Sequence, residues 1–134
     1  MVKRGEIYLD YQFTYRAGNT EDKFLIILNK NYLPKQPVIV TPCTSNKANR
    51  NYNPGCNHRS SIFYLRANED FFEKNTIVEL FIVESIDEAI FEGKRSKRII
   101  ERYSSLQAAN LQRLVGCLKD LKEDIRQELH PLLF

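Results

Sequence analysis

The sequence predicts a mainly β protein, in which a small, strongly bent sheet or partly open barrel precedes one long terminal helix. Short apolar segments with alternating or continuous patterns recur along the first 100 positions, and Gly, Asn and Ser separate them. A helical repeat of leucines occupies the end of the chain. With 134 residues, one domain is expected, with the barrel at about residues 1–101 and the helix at about residues 104–129.

The first three strands follow from the apolar pattern. Residues 6–13 alternate as a half-buried strand, and the apolar run at 23–28 is short enough to be a buried strand. Residues 37–41 predict a third strand, which Pro37 can begin because no ladder hydrogen bond is needed there. The polar segment 15–22 contains Gly and Asn and is expected to form a loop.

The middle of the chain predicts a long loop and further strands. Residues 42–59 lack apolar periodicity and are rich in polar, basic and turn-forming residues, so we expect an exposed loop that carries function. Residues 61–66 and 76–85 are rich in β-branched and aromatic side chains and predict two more strands. A turn at 91–93 and a short strand near 98–100 complete the predicted sheet.

The last predicted element is a long amphipathic helix. Ser104 and Gln107 have the spacing of a capping box, and His130-Pro131 is expected to end the helix. Between them, apolar residues alternate spacings of three and four: Leu111, Leu114, Leu118, Leu121 and Ile125. This stripe is expected to pack on the barrel or on a partner subunit.

Composition is typical of a soluble globular protein, and we expect a cytoplasmic location. The longest aliphatic block, at 24–28, is too short to cross a membrane, and the start lacks the apolar stretch of a secretory signal. Cys43, Cys56 and Cys117 match no disulfide framework and are expected to be free thiols. A net charge of +3 does not by itself require a polyanionic partner, although the basic run at 94–98 would suit phosphates.

Four segments resemble the MazF/PemK toxin family, and together they span most of the chain. They are KRGEIY at residues 3–8, KFLIILN at 23–29, VIVTPCTS at 38–45 and VESID at 83–87. The resemblance implies a small SH3-like, PemK-like barrel that forms a homodimer. It also implies the toxin of a type II toxin–antitoxin pair, an endoribonuclease that cuts single-stranded RNA without a metal or other cofactor and that a cognate antitoxin protein silences.

Such cleavage needs a base, a cation and a hydrogen-bond donor near one phosphate. The base removes the ribose 2′-hydroxyl proton, the oxygen attacks phosphorus, and an acid protonates the departing 5′-oxygen. By the resemblance, Lys23 takes the place of the family's phosphate-facing Arg, although it lacks the planar fork of a guanidinium. Thr44 matches the family's hydroxyl residue after the third strand, and Ser45 adjoins it.

The residues themselves leave the general acid and base open. Glu21 or Asp22 could supply a carboxylate base beside Lys23, and His58 could be the acid, because imidazole is the side chain suited to acid–base work at neutral pH. Further candidates for contacts with RNA lie in the same two predicted loops: Arg16, Asn19, Lys47, Arg50 and Arg59. No metal is expected, because Cys43, Cys56 and His58 include no CxxC pair and no fourth ligand.

Two departures from the family keep other functions open. Glu79 and Phe81 occupy positions where some members carry an Arg and an Asp. Together with Lys23, these changes motivate a second hypothesis, a catalytically degenerate relative that binds nucleic acid or protein without cutting. A third hypothesis is an inhibitor that resembles CcdB and acts by binding.

Overall fold

A computed structural model describes residues 2–14, 18, 20–45 and 52–134 of the chain. These residues confirm the mainly β fold class, because they form one eight-stranded antiparallel sheet with helices around it. The strands are β1 (Glu6–Thr14), β2 (Thr20–Ile27), β3 (Val38–Thr44), β4 (Gly55–Asn57), β5 (Ile62–Leu65), β6 (Thr76–Val78), β7 (Glu84–Ile86) and β8 (Ile100–Ser105). The α-helices are α1 (Glu88–Ser96), α2 (Ala108–Asp120) and α3 (His130–Leu133), and 3₁₀ turns occupy His58–Ser60, Lys122–Asp124 and Gln127–Leu129.

The sheet is open. Its strand order is β4-β5-β6-β3-β2-β1-β8, with β7 paired to β3, and within the described ranges the two end strands do not pair with each other. A closed barrel is therefore not formed. The pairing register shifts between Asp10 and Phe13 in the β1–β2 ladder and again between Ile7 and Tyr8 in the β1–β8 ladder. Such bulges bend and twist a sheet.

Both faces of the central strands are covered. Ile7 and Ile26 belong to one apolar cluster, together with Leu114 and Leu118 of α2. The next residue on β1, Tyr8, belongs to a second cluster with Phe91 of α1. Because alternate residues of a strand point to opposite faces, covering both faces requires a continuous apolar run. This explains why residues 23–28 do not alternate.

The predicted strand at 76–85 is wrong, since residues 79–83 turn away between β6 and β7. Both strands pair with β3, β6 near Thr44 and β7 near Val38. Pro42 lies between these two ladders and has no N–H to donate. Its carbonyl accepts a hydrogen bond from the Glu79 N–H at 2.9 Å, and the Thr41 hydroxyl donates to the Glu79 carbonyl at 2.8 Å. These two hydrogen bonds stabilise the break between β6 and β7.

The predicted loop at 42–59 is too long at both ends. Strand β3 continues through Pro42 to Thr44, and β4 begins at Gly55. Gly55 has a φ of +91°, a backbone conformation that favours glycine. What remains of the loop is largely residues 46–51, which lie outside the described residues.

A helix replaces the predicted turn at 91–93. Asp87 caps α1, and its carboxylate accepts hydrogen bonds from the N–H groups of Ala89 and Ile90. Within the helix Lys94 binds the fully buried carboxylate of Asp10 at 2.7 Å. The strand predicted near 98–100 consequently begins later and forms β8 at 100–105.

The predicted helix at 104–129 is wrong at both ends, because α2 contains 13 residues. Ser104 belongs to β8, and Asp70 accepts hydrogen bonds from the Gln107 N–H at 3.0 Å and the Asn110 side chain at 2.8 Å. A straight helix of the predicted length would extend about 39 Å, beyond the ~30 Å of a small domain. The chain instead turns after Asp120, which keeps Ile125 and Leu129 in the core.

The predicted free thiols of Cys56 and Cys117 are also a wrong expectation. The two residues form a disulfide with a Cα–Cα distance of 5.4 Å that ties β4 to α2. Cys43 is free and buried. None of the described helices combines the length and apolar character needed to cross a membrane.

Candidate functional site

A cavity of about 460 Å³ lies where β2, β3 and the segment before β6 meet. Its walls are residues 21–24 from β2, residues 43–45 at the end of β3, and residues 71–74 with Thr76. A volume of this size is typical of small-molecule sites, which span roughly 300–1,000 Å³.

Strand pairing brings Lys23 and Thr44 to the same place. Phe24 of β2 pairs with Cys43 of β3 in an antiparallel ladder. The next positions along this ladder are Lys23 and Thr44, and opposite residues of an antiparallel pair project from the same face. Both residues line the cavity. Two of the four segments that resemble the toxin family therefore contribute to one site.

The ammonium group of Lys23 is buried and ion-paired. The residue is 8% exposed, and its Nζ lies 3.5 Å from Glu21 Oε1 and 3.7 Å from Glu79 Oε1. A buried charge requires such partners, because removing an ion from water costs several kcal/mol. Lys23 is therefore part of a built cluster and not a solvated lysine at the start of a strand.

Aromatic rings form one side of the site. Phe24 makes edge-to-face contacts with Phe71 and Phe72, each at a centroid distance of 5.5 Å, and with Tyr103 at 5.7 Å. Tyr103 in turn shares a hydrogen bond of 2.8 Å with the hydroxyl of Tyr11. Aromatic faces of this kind can stack nucleic-acid bases.

Cys43 lines the cavity but is not poised as a nucleophile. Burial is the largest cause that raises the pKa of its thiol, and the nearby Glu79 raises it further. A thiol reacts as the thiolate, which this environment disfavours. The polar chemistry of the cavity therefore belongs to its lysines, carboxylates and hydroxyls.

Five of the predicted site residues line this one cavity, namely Glu21, Asp22, Lys23, Thr44 and Ser45. His58 and Arg59 are not among the lining residues. Both are exposed in the 3₁₀ turn that follows β4. The other predicted RNA contacts lie outside the described residues: Arg16, Asn19, Lys47 and Arg50. The chemical roles of all these residues remain predictions.

Sequence reasoning missed several contributors to the site. Glu79 entered only as a departure from the family pattern, yet its carboxylate contacts Lys23. Residues 71–74, with the sequence FFEK, supply two aromatic rings, a carboxylate and an ammonium group. The sequence signal for these rings was a pair of aromatic residues between two polar segments. It could not be linked to their partner Phe24, which lies 47 positions before Phe71.

Two other cations have structural partners. Lys94, in the basic run, binds buried Asp10 at 2.7 Å. The guanidinium of Arg4 donates to the Leu28 carbonyl at 2.8 Å and also to the carbonyl of Leu133. These two cations therefore connect segments that are distant in sequence.

Comparisons with known proteins add no family. No protein-family model matches the chain, and no curated protein matches it either. The resemblance to the MazF/PemK toxins therefore depends on the four quoted segments.

Proposed function

We propose that the protein is a metal-independent endoribonuclease, the toxin of a type II toxin–antitoxin pair that cuts single-stranded RNA in the cytoplasm. The observation that carries the proposal is the cavity that joins Lys23, Thr44 and two carboxylates to a wall of aromatic rings. The open sheet would then be a variant of the SH3-like, PemK-like barrel. A homodimer and a cognate antitoxin protein belong to the same proposal.

The cavity offers a carboxylate base, a cation and a hydroxyl donor for cleavage by the 2′-hydroxyl. A carboxylate of Glu21 or Asp22 accepts the 2′-hydroxyl proton, and the oxygen then attacks phosphorus. Lys23 and the Thr44 hydroxyl stabilise the charge that develops on the phosphoryl oxygens. Water protonates the departing 5′-oxygen as its bond to phosphorus breaks, which leaves a 2′,3′-cyclic phosphate and a 5′-hydroxyl.

The aromatic wall explains why the substrate would be single-stranded. The rings of Phe24 and Phe71 lie beside the polar groups, so a base that stacks there places its own ribose near Lys23 and Thr44. A base can reach such a wall only when it is unpaired and splayed out of a helix. Each stacked base contributes about 1–3 kcal/mol to binding.

The direct test is incubation of the purified protein with a long single-stranded RNA in EDTA. Discrete fragments with 5′-hydroxyl ends are expected. Thr44→Val should lower the cleavage rate by about 10²–10³-fold, the usual effect of removing one donor to a developing oxyanion. Lys23→Met should have at least a similar effect, with folding checked by circular dichroism. An absence of fragments with folded wild-type protein at high concentration would exclude the ribonuclease.

Matched controls identify the base and exclude general effects. Asp22→Asn and Glu21→Gln keep the shape of each side chain, and the variant that removes the base should lose about 10²–10⁴-fold in rate. Ser96→Ala and Lys119→Met alter an exposed hydroxyl and an exposed lysine outside the cavity and should retain full activity.

A second candidate function is a binding module that does not cut. It is favoured by the ion pairing of Lys23, whose charge is already matched by Glu21 and Glu79. A labelled single-stranded RNA would distinguish the two functions. Binding that weakens as salt increases, without fragments, would favour the module, since phosphate contacts are strongly salt-dependent.

A further inference from the structure

A second group of reactive side chains lies apart from the cavity, where β4 meets the end of α2. Donor atoms of Cys56, His58 and Asp120 all lie within 4.8 Å of one another. His58 Nε2 is 2.9 Å from Asp120 Oδ2, and the sulfur of Cys117 is bonded to that of Cys56. Two short segments thus bring four potential metal ligands to one point.

We propose that these four residues bind a zinc ion when the disulfide is reduced. Two thiolates, an imidazole and a carboxylate are donors that zinc accepts, and four such donors complete the tetrahedral coordination of a structural site. The predicted absence of metal rested on the lack of a CxxC pair and of a fourth ligand beside Cys43, Cys56 and His58. The fold supplies Cys117 and Asp120 from a helix about 60 residues further on.

Local geometry favours this arrangement. Cys117 and Asp120 are three positions apart on α2, so both side chains lie on one face of the helix. Cys56 and His58 are two positions apart, at the point where β4 passes into a 3₁₀ turn. Cys117 is buried, Cys56 is half-buried, and His58 and Asp120 are exposed. The ion would therefore lie at the protein surface, above the buried Cys117.

The redox step is balanced by a dithiol. The two sulfhydryls of the dithiol form its own disulfide, and their two electrons and two protons convert the Cys56–Cys117 bond into two thiols. Zinc then displaces both thiol protons, while neutral His58 donates a ring nitrogen and Asp120 donates a carboxylate oxygen. Zn–S bonds of about 2.3 Å place the two sulfurs about 3.8 Å apart in a tetrahedral site. Both sulfurs can therefore bind the ion only after the disulfide is broken.

The disulfide and the zinc ion would thus be alternative links between the same two elements. In an oxidising environment a covalent bond joins β4 to α2, and in a reducing one the metal joins them. None of the four residues lines the cavity, so this proposal stands independently of the ribonuclease.

Cobalt titration of the full chain tests the proposal. The protein is reduced with a phosphine under anaerobic conditions, and the reductant is removed. Cobalt should then bind with a stoichiometry of one, giving the visible absorption of tetrahedral Co²⁺ and a near-ultraviolet thiolate-to-metal band. Zinc should displace it. The oxidised protein should give neither band, and its zinc affinity should be at least about 100-fold lower, because its sulfurs cannot act as thiolates.

Variants connect the spectrum to the named residues. His58→Ala and Asp120→Ala each remove one exposed ligand and should lower zinc affinity at least about tenfold, since even outer-shell changes cost this much. Cys43→Ala and Asp124→Ala are matched controls that should bind like the wild type.

Three results would overturn the proposal: no thiolate band in the reduced wild type, equal zinc affinity in both redox states, or unchanged affinity in His58→Ala and Asp120→Ala. Because these last two side chains are exposed, their variants should fold even where a cysteine variant does not.

Discussion

Replacing Lys23 with methionine should lower the free energy of unfolding by about 3 kcal/mol. The side chains of Lys23 and Glu79 are 9% and 13% exposed, and their charged atoms lie 3.7 Å apart. Methionine keeps most of the apolar stem but takes the ammonium group away from the carboxylate. Removing one member of a buried pair costs about 3–5 kcal/mol, and the open cavity favours the lower end of this range.

The distance between the charges gives a second measure of the pair. At 3.7 Å, and with an effective dielectric constant of about 20, their attraction is about 4.5 kcal/mol. Desolvation of both ions offsets much of it. In a double-mutant cycle of Lys23→Met and Glu79→Gln, we expect a coupling energy of at least about 1.5 kcal/mol, in the range measured for residues in direct contact.

An exposed ion pair of the same length provides the control. Arg66 and Glu69 are also 3.7 Å apart, but their side chains are 60% and 42% exposed. The cycle of Arg66→Met and Glu69→Gln should give a coupling energy of about 0.5 kcal/mol or less. Urea unfolding followed by circular dichroism measures all the variants. Equal coupling energies in the two pairs would refute the argument that burial strengthens the pair at the cavity.

Three further predictions concern the fold. Reduction of the Cys56–Cys117 bond in metal-free buffer should lower the free energy of unfolding by about 4 kcal/mol, because the bond closes a loop of 61 residues. Urea unfolding curves with and without reductant test this, and coincident curves would contradict it. Gly5→Ala should lower the free energy of unfolding by at least about 1 kcal/mol, because the φ of Gly5 is +90° and an added Cβ would lie 2.8 Å from Leu111 Cδ2. A melting temperature equal to that of the wild type would count against this prediction. Burial raises the pKa of Tyr8 from 10.0 to about 12, so its contribution to the free energy of unfolding should be full below pH 10 and should decline as the pH rises towards 12. The melting temperature of Tyr8→Phe should fall less steeply over this range than that of the wild type.

The elements that sequence predicted well are those whose signal is local. Strands β1, β2 and β3 each have an apolar pattern that their own residues carry, and the structure places them near the expected positions. Helix α1 has no such pattern, because Phe91 is its single buried residue. It is stabilised by the Asp87 cap, by the burial of Phe91 against Tyr8, and by the ion pair of Lys94 with distant Asp10. The cap could have been recognised from sequence, but the ion pair could not.

Contacts between distant segments account for the remaining errors. The interruption of the strand at 76–85 depends on Pro42, which is far away in sequence but adjacent in the sheet. The cysteine pairing was equally hidden, since three cysteines give no unique connectivity. At the candidate site, family resemblance pointed to Lys23 and Thr44 separately. Their proximity follows from the pairing of β2 with β3, and the contact of Lys23 with Glu79 follows from the hydrogen bonds that hold Glu79 beside Thr41 and Pro42.

The hydrogen-bonded pair of Tyr11 and Tyr103 gives the protein an internal optical reporter. The chain contains seven tyrosines and no tryptophan, so tyrosine dominates its ultraviolet fluorescence. The ring of Tyr103 lies 6.3 Å from that of Phe71, which lines the cavity. A nucleobase that stacks on Phe71 should change the emission of nearby Tyr103, and Tyr103→Phe would isolate that contribution. Occupancy of the cavity could then be followed with unlabelled protein and unlabelled RNA.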